Sequence, residues 1–115
     1  MKTSQQGQIA EDEACKFLQQ HGLKLVEKNY RCRTGEIDLI MQDKEELVFV
    51  EVRYRAKSDY GSALDSVDQN KIQKVISAAS HYVSKHQPDL PMRFDVIGFD
   101  ASYKPKWVTN AFSAF

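Results

Sequence analysis

Length, composition and charge limit what this chain can be before any motif is considered. It has 115 residues, of which 42% are hydrophobic and 28% charged, the composition of an ordinary globular domain. A formal net charge of zero argues against a simple polycationic nucleic-acid binder, and no stretch approaches the roughly 20 apolar residues of a membrane span. The N-terminal residues contain no apolar run typical of a secretory signal. We therefore expect a cytoplasmic protein with no membrane partner, folded as a single domain over residues 1–115 with a flexible lead-in at residues 1–5.

The first predicted elements are a helix and three strands. The helix begins near Ser4 and ends at Gly22, a favourable residue for a C-terminal cap. Its periodicity places Glu11 about 20° beyond Leu18, at the edge of the buried face. Strand-like runs follow at residues 23–30, 36–41 and 47–54. Turn-forming residues separate these runs, so an antiparallel meander is expected.

A second helix and two more strands complete the predicted order. Ser66 and Gln69 have the spacing of a capping box, and Pro88 lies beyond the end of this helix. The last two strands are predicted at residues 92–99 and 106–109. The order αβββαββ predicts an α/β fold with a central mixed five-stranded sheet flanked by helices.

Two strand segments, GEIDLI at residues 35–40 and VFVEVR at residues 48–53, place acidic residues among hydrophobic ones. Glu51 ends a run apolar enough to be buried, where a charge is costly unless it is paired or bound to a metal. An antiparallel pairing would bring Asp38 beside it, although the sequence does not fix the register. Two such carboxylates repel each other unless a proton or a cation lies between them, and Mg²⁺ typically takes one or two carboxylates. A purely structural alternative stays open, in which Glu51 pairs with a nearby arginine and Asp38 with a lysine.

The charged residues form blocks of alternating sign. Residues 24–33 have a local balance of +3, residues 34–51 have −5, and three basic residues follow within residues 53–57. Basic residues on both sides of an acidic segment are typical of a site that binds phosphates around a metal held by carboxylates. Lys and Arg supply the positive charge for each phosphate contact. A solvated surface of mixed charge is the alternative. The candidate nucleic-acid-binding residues are Arg31, Arg33, Arg53, Arg55, Lys57 and Lys71.

Five segments carry a resemblance to a known family: GQIAEDEACKFL, NYRCRTGEIDLI, LVFVEVRYR, RFDVI and WVTNAF. With them the chain resembles the YraN-like family of small bacterial proteins, predicted nucleases of the restriction-endonuclease-like PD-(D/E)xK superfamily that are similar to archaeal Holliday-junction resolvases. The resemblance implies a restriction-endonuclease-like fold, Mg²⁺ or Mn²⁺ as cofactor, and DNA, branched DNA included, or another nucleic acid as substrate. By analogy with the resolvases it also implies a homodimer.

The resemblance further implies a catalytic site of four residues, Glu11, Asp38, Glu51 and Arg53, with the three acidic residues as metal ligands. Arg53 departs from the superfamily's pattern, in which lysine is usual at this position. Because arginine stays protonated, it cannot act as a base, but it can orient water or bind phosphate. Three functions therefore stay open: a metal-dependent endonuclease, a nucleic-acid-binding module that cleaves weakly or not at all, and a protein-interaction scaffold that docks through the apolar residues 111–115.

Overall fold

The order of helices and strands matches the sequence-based prediction. The computed structural model describes residues 5–55 and 69–113. Its elements are α1 (Gln5–Gln20), β1 (Lys24–Cys32), β2 (Gly35–Asp43), β3 (Glu46–Tyr54), α2 (Gln69–His86), β4 (Met92–Phe99) and β5 (Lys106–Phe112). This arrangement confirms the order αβββαββ in a single α/β domain. Gln5, assigned to the lead-in from the sequence, already belongs to α1. Residues 1–4 and the predicted cap Ser66 lie outside the described residues.

The five strands form one mixed sheet in the order β1-β2-β3-β4-β5. The pairs β1–β2, β2–β3 and β4–β5 are antiparallel, and β3–β4 is parallel. Parallel neighbours need a crossover connection, and α2 lies in the connection between β3 and β4. The predicted antiparallel meander of the first three strands and the mixed character of the sheet are both confirmed.

The two helices bury opposite faces of the sheet, so the core has two halves. The α1 half contains Ala10, Ala14, Cys15 and Leu18 of the helix, packed with Leu39, Met41, Val48, Val50 and Ile97. The α2 half contains Val75, Ala78, Ala79 and Tyr82 of the helix, packed with Tyr30, Ile37, Ile40, Phe49 and Phe94. The fold is therefore a three-layer arrangement with the sheet in the middle. Neither helix, as described, is long and apolar enough to cross a membrane.

The alternation of side chains along β2 is interrupted at Asp38. Ile37 lies in the α2 half of the core and Leu39 in the α1 half, although residues two apart on a regular strand share a face. The pairing of β2 with β3 ends at Leu39–Val50, while both strands continue beyond that pair. Beyond it, the Val52 N–H donates to Asp38 Oδ2 over 2.9 Å. The Asp38 carboxylate thus takes the place of a backbone carbonyl acceptor where β2 and β3 separate.

Gly35 lets α2 lie directly against the start of β2. A Cβ atom at this position would be 1.9 Å from the backbone oxygen of Lys74, so any side chain would push the helix away. Lys71 lies one helical turn before Lys74. The close approach of α2 at Gly35 therefore also sets how near Lys71 comes to the carboxylates of β2 and β3.

Candidate active site

A pocket of about 500 Å³ lies where β2 and β3 separate, with α1 on one side and the first turn of α2 on the other. Its charged lining residues are Glu11, Glu36, Asp38, Glu51, Arg53 and Lys71. The structure thus brings together all four residues that the sequence resemblance implied for a catalytic site. It also places two further charged residues, Glu36 and Lys71, in the lining of this pocket. We refer to this cavity below as the carboxylate pocket.

Asp38 and Glu51 are the two most deeply buried acids of the carboxylate pocket, at 2% and 1% exposure. They lie one position beyond the last β2–β3 pair, Leu39–Val50. One oxygen of Asp38 accepts the Val52 N–H, which fixes the orientation of that carboxylate. The sequence left the register between β2 and β3 undetermined. In the structure, this register places Asp38 and Glu51 side by side.

The two oxygens of Glu51 have different surroundings. Oε2 lies 3.5 Å from Arg53 Nη1 and 3.6 Å from Lys71 Nζ. Oε1 is buried and has no hydrogen-bond partner among the described residues. The pairing with arginine that the structural alternative expected is therefore present, but it involves Oε2 alone, and the other close neighbour of this carboxyl group is the acidic Asp38.

Burial raises the pKa of Glu51 to about 8, and the negative charge of Asp38 acts in the same direction. Lys71 and Arg53 lower the pKa of Glu51 but do not offset these two effects. In the absence of another cation, Glu51 therefore holds a proton near neutral pH. A divalent cation held by Asp38 and Glu51 would remove the need for that proton, and the unpartnered Oε1 could serve as one of its ligands. The residues present thus fit a divalent metal ion.

Glu11 comes from α1 and is only 4% exposed, in agreement with its predicted place at the edge of the buried stripe. It lines the same pocket as Asp38 and Glu51. Within residues 5–55 and 69–113, no three His, Cys, Asp or Glu side chains are grouped so that they could hold a metal ion together. Mg²⁺ is typically bound by one or two protein carboxylates with water and phosphate oxygens, and Asp38 and Glu51 supply two.

Glu36 connects the cations around the pocket. Its Oε1 lies 3.3 Å from Arg31 Nε, and its Oε2 lies 3.7 Å from Lys71 Nζ. Because Lys71 is also close to Glu51, its ammonium group lies between two carboxylates from neighbouring strands. Glu36 thus holds Lys71 and Arg31 at the border of the carboxylate pocket.

A second pocket, of about 550 Å³, adjoins the first and shares Glu36, Arg53 and Lys71 with it. Its cationic lining residues are Arg31, Arg33, Arg53, Lys71 and Lys74. Four of the six candidate nucleic-acid-binding residues therefore lie together; Arg55 lines neither pocket, and Lys57 lies outside the described residues. Lys74 was missed in the sequence, although its spacing of three residues from Lys71 places both on one helix face. We call this second cavity the basic pocket.

One further buried acid, Asp95 of β4, lies outside both pockets and has a full set of partners. Arg93 donates to both of its oxygens, from Nε and Nη2, each over 2.9 Å. Trp107 Nε1 and the Asn110 N–H donate to it as well, also over 2.9 Å. This carboxylate connects β4 to β5 and has a structural role.

Known proteins similar to this chain match it over most of its length. The sequence model of the uncharacterised protein family UPF0102 matches residues 10–99. A UPF0102 protein of Legionella pneumophila strain Philadelphia 1 is 49% identical over 115 residues, covering 97% of this chain and 98% of the relative. UPF0102 proteins of Psychromonas ingrahamii and Nitrosococcus oceani are 45% and 46% identical over 111 residues each, covering 96% and 92% of this chain and 91% and 90% of the relatives. The family match includes every charged residue of the two pockets.

Proposed function

This chain belongs to the uncharacterised protein family UPF0102, the YraN-like family, and we propose that it is a metal-dependent endonuclease that hydrolyses phosphodiester bonds in nucleic acid. One observation carries the proposal: a buried oxygen of Glu51, without a partner among the described residues, belongs to a carboxylate that lies beside the equally buried Asp38. A carboxylate retained for stability alone would be expected to have its oxygens paired.

Asp38 and Glu51 are the proposed ligands of Mg²⁺ or Mn²⁺, with Glu11, which lines the same pocket, as the third acidic residue. When bound there, the ion would polarise the scissile phosphate and lower the pKa of an attacking water. The Val52 N–H, which donates to Asp38 Oδ2, would hold the Asp38 carboxylate in a fixed orientation for this role.

Arg53 and Lys71 are the proposed phosphate-binding groups of the site. Both lie within 4 Å of Glu51 Oε2, Arg53 at 3.5 Å and Lys71 at 3.6 Å, and both line the pocket. Arg53 cannot accept a proton, so its role is to bind the phosphate and the negative charge that develops on it. Lys71, from a different element, adds a second positive charge on the same side of Glu51.

The test is cleavage of a labelled four-way junction, a linear duplex and a single strand in the presence of Mg²⁺ or Mn²⁺. We expect cleavage of at least one substrate, and a loss of at least about 100-fold in Asp38→Asn, the size of loss that removal of a metal-site group produces. This variant removes the charge but keeps an oxygen that can accept the Val52 N–H. Asp89→Asn, at an exposed position beyond α2, is the matched control. Equal cleavage by wild type and Asp38→Asn would contradict the proposal.

A second candidate function, nucleic-acid binding without efficient cleavage, is favoured by Arg53. Its guanidinium stands where the superfamily's pattern has a lysine, and it binds phosphate without being able to exchange a proton. Binding of all three DNA forms with no cleavage of any of them would select this function. The same samples, examined by sedimentation with and without DNA, test the homodimer expected from the resolvase resemblance.

A further inference from the structure

The basic pocket has a charge opposite to that of the carboxylate pocket beside it. Five cationic side chains and one carboxylate, Glu36, line it, which gives a local formal charge of +4. Four acids and two cations line the carboxylate pocket, which gives −2. The two cavities share Glu36, Arg53 and Lys71, so they form one continuous surface with an abrupt change of sign. Such a surface suits a polyanion. One part of it would contact a cation bound at the carboxylate pocket, and a neighbouring part would contact the Lys and Arg side chains of the basic pocket.

The basic pocket is built from the β1–β2 hairpin and the first part of α2, with Arg53 of β3 beside them. Arg31 and Arg33 lie two residues apart at the end of β1, where the tight turn to β2 is closed by the pair Cys32–Gly35. Lys74 comes from α2, whose backbone lies against Gly35 without room for a side chain between them. The cations of the hairpin and of the helix therefore line one cavity and come from two elements that are in direct backbone contact at Gly35.

We propose that the basic pocket is a phosphate-binding subsite for the same nucleic-acid strand whose scissile phosphate lies at the carboxylate pocket. This inference rests on the proposed function and deepens it, because it names the substrate as a strand that extends past the scissile bond in a defined direction. Arg33 and Lys74 are the subsite's own cations, since they line the basic pocket and not the carboxylate pocket. The cavity of about 550 Å³ is within the usual size range of ligand pockets.

The spacing of the two pockets sets a minimum length for that strand. Gly35, which lines the basic pocket, and Asp38 are three residues apart on β2. Three residues of a strand span about 10 Å, and the two pockets share lining residues, so the subsite phosphate lies within a few nucleotides of the scissile phosphate on the same strand. It is an internal phosphodiester of an oligonucleotide, not the terminal phosphate of a mononucleotide.

The experiment measures binding of labelled oligonucleotides without metal, in the presence of a chelator, at several salt concentrations. Arg33→Gln/Lys74→Gln removes two charges from the subsite, and Lys24→Gln/Lys85→Gln removes two exposed charges from the far end of β1 and the last turn of α2. We expect the subsite variant to reduce the slope of log affinity against log salt by about 1.4 on single strands, because each lost phosphate contact contributes about 0.7. The control variant should keep the wild-type slope. Equal slopes for both double variants would overturn the proposal.

A length series separates internal from terminal phosphates. Oligonucleotides of two, four and six nucleotides are compared with and without a 5′-phosphate and with and without a 3′-phosphate. We expect wild-type affinity to rise between two and four nucleotides whether or not the ends are phosphorylated, and this rise should be lost in Arg33→Gln/Lys74→Gln. A dependence on a terminal phosphate at every length would overturn the assignment to an internal phosphodiester.

The two proposals fail in different ways. A protein that binds as expected but cleaves nothing would contradict the endonuclease and leave the subsite in place. A protein whose cleavage depends on Asp38, but whose metal-free binding is the same in Arg33→Gln/Lys74→Gln and wild type, would contradict the subsite and leave the endonuclease in place. Both substituted side chains are exposed, so thermal melting of the variants should match that of the wild type.

Discussion

Two carboxylates buried on neighbouring strands, Glu51 on β3 and Asp95 on β4, have opposite surroundings. Asp95 is fully buried and receives two hydrogen bonds from Arg93, one from Trp107 and one from the backbone of Asn110. Glu51 is equally buried, but one of its oxygens has no partner among the described residues and its pKa is raised to about 8. The burial of an acid therefore does not indicate its role, whereas the way in which its oxygens are satisfied does.

The largest effect expected from this comparison is on stability, at Asp95. Asp95→Ala leaves Arg93 Nε and Nη2 and the Trp107 and Asn110 N–H groups without their acceptor, while Arg93 Nη1 keeps Asp43 and Glu46. We expect it to lower the free energy of unfolding by about 3–5 kcal/mol, as for other broken buried ion pairs. Urea denaturation of the wild type and this variant measures the difference, with Asp89→Ala as the control for loss of an exposed acid. A loss below about 1 kcal/mol would show that the Asp95 network contributes little.

The second effect is on stability at Glu51. Removal of this acid is expected to stabilise the protein, by an amount that depends on pH. Because the folded pKa of Glu51 is raised from 4.5 to about 8, the folded state binds more protons than the unfolded state within this range. The contribution of Glu51 to the free energy of unfolding therefore falls as pH rises from about 4.5 to 8. Glu51→Gln removes this dependence, so without metal we expect it to be more stable than the wild type at pH 8, by about 2 kcal/mol.

Thermal unfolding of the wild type and Glu51→Gln at pH 5.5 and pH 8, with and without Mg²⁺, provides the measurement. Mg²⁺ should stabilise the wild type more at pH 8 than at pH 5.5, because it competes with the proton on Glu51. At ten times its Kd it would add about 1.4 kcal/mol. Glu51→Gln should lose most of this gain. Without Mg²⁺, a stability advantage of Glu51→Gln over the wild type that does not grow from pH 5.5 to pH 8 would contradict the sign derived for Glu51.

The smallest expected effect concerns the cation beside Glu51. Arg53→Lys keeps a positive charge near Glu51 Oε2, so we expect cleavage to be maintained or to increase by a few fold. Arg53→Ala removes the phosphate-binding group and should lower cleavage about tenfold, which corresponds to about 1.4 kcal/mol of transition-state stabilisation. Single-turnover cleavage rates of the three proteins test this. Activity of Arg53→Ala equal to that of the wild type would exclude a role for this side chain.

Much of the fold could be predicted from the sequence because the patterns are local. β4 was predicted at residues 92–99, and the structure has it at those residues. β5 was expected to stop at residue 109 and instead continues to Phe112. The extension depends on contacts between strands that no local pattern contains: the Asn110 N–H donates to Asp95, and Phe112 stacks on Phe94 at 5.0 Å between ring centroids. Phe112 belongs to the segment 111–115 that the sequence suggested as a docking element. In the structure it is part of β5 and packs on the domain's own sheet.

The site could be predicted in its residue types but not in its arrangement. Glu11, Asp38 and Glu51 were expected near one another, and they line one pocket. The register beside Asp38 could not be derived, because the strand is irregular there and its carboxylate replaces a backbone partner. The positions of Lys71 and Lys74 depend on how closely α2 approaches β2, and Gly35 controls that distance. A single glycine in the sequence does not reveal which backbone will lie against it.

The hydrogen bond between the Val52 N–H and Asp38 Oδ2 makes one backbone amide a spectroscopic probe of the pocket. In an amide NMR spectrum, the Val52 proton should be shifted by its carboxylate acceptor and protected from exchange with solvent, although it lies beyond the last β2–β3 pair. Any change in the charge on Asp38, whether by protonation or by a bound cation, should move this one resonance first. The point at which the two strands separate therefore allows the state of the pocket to be followed without a substrate and without a substitution.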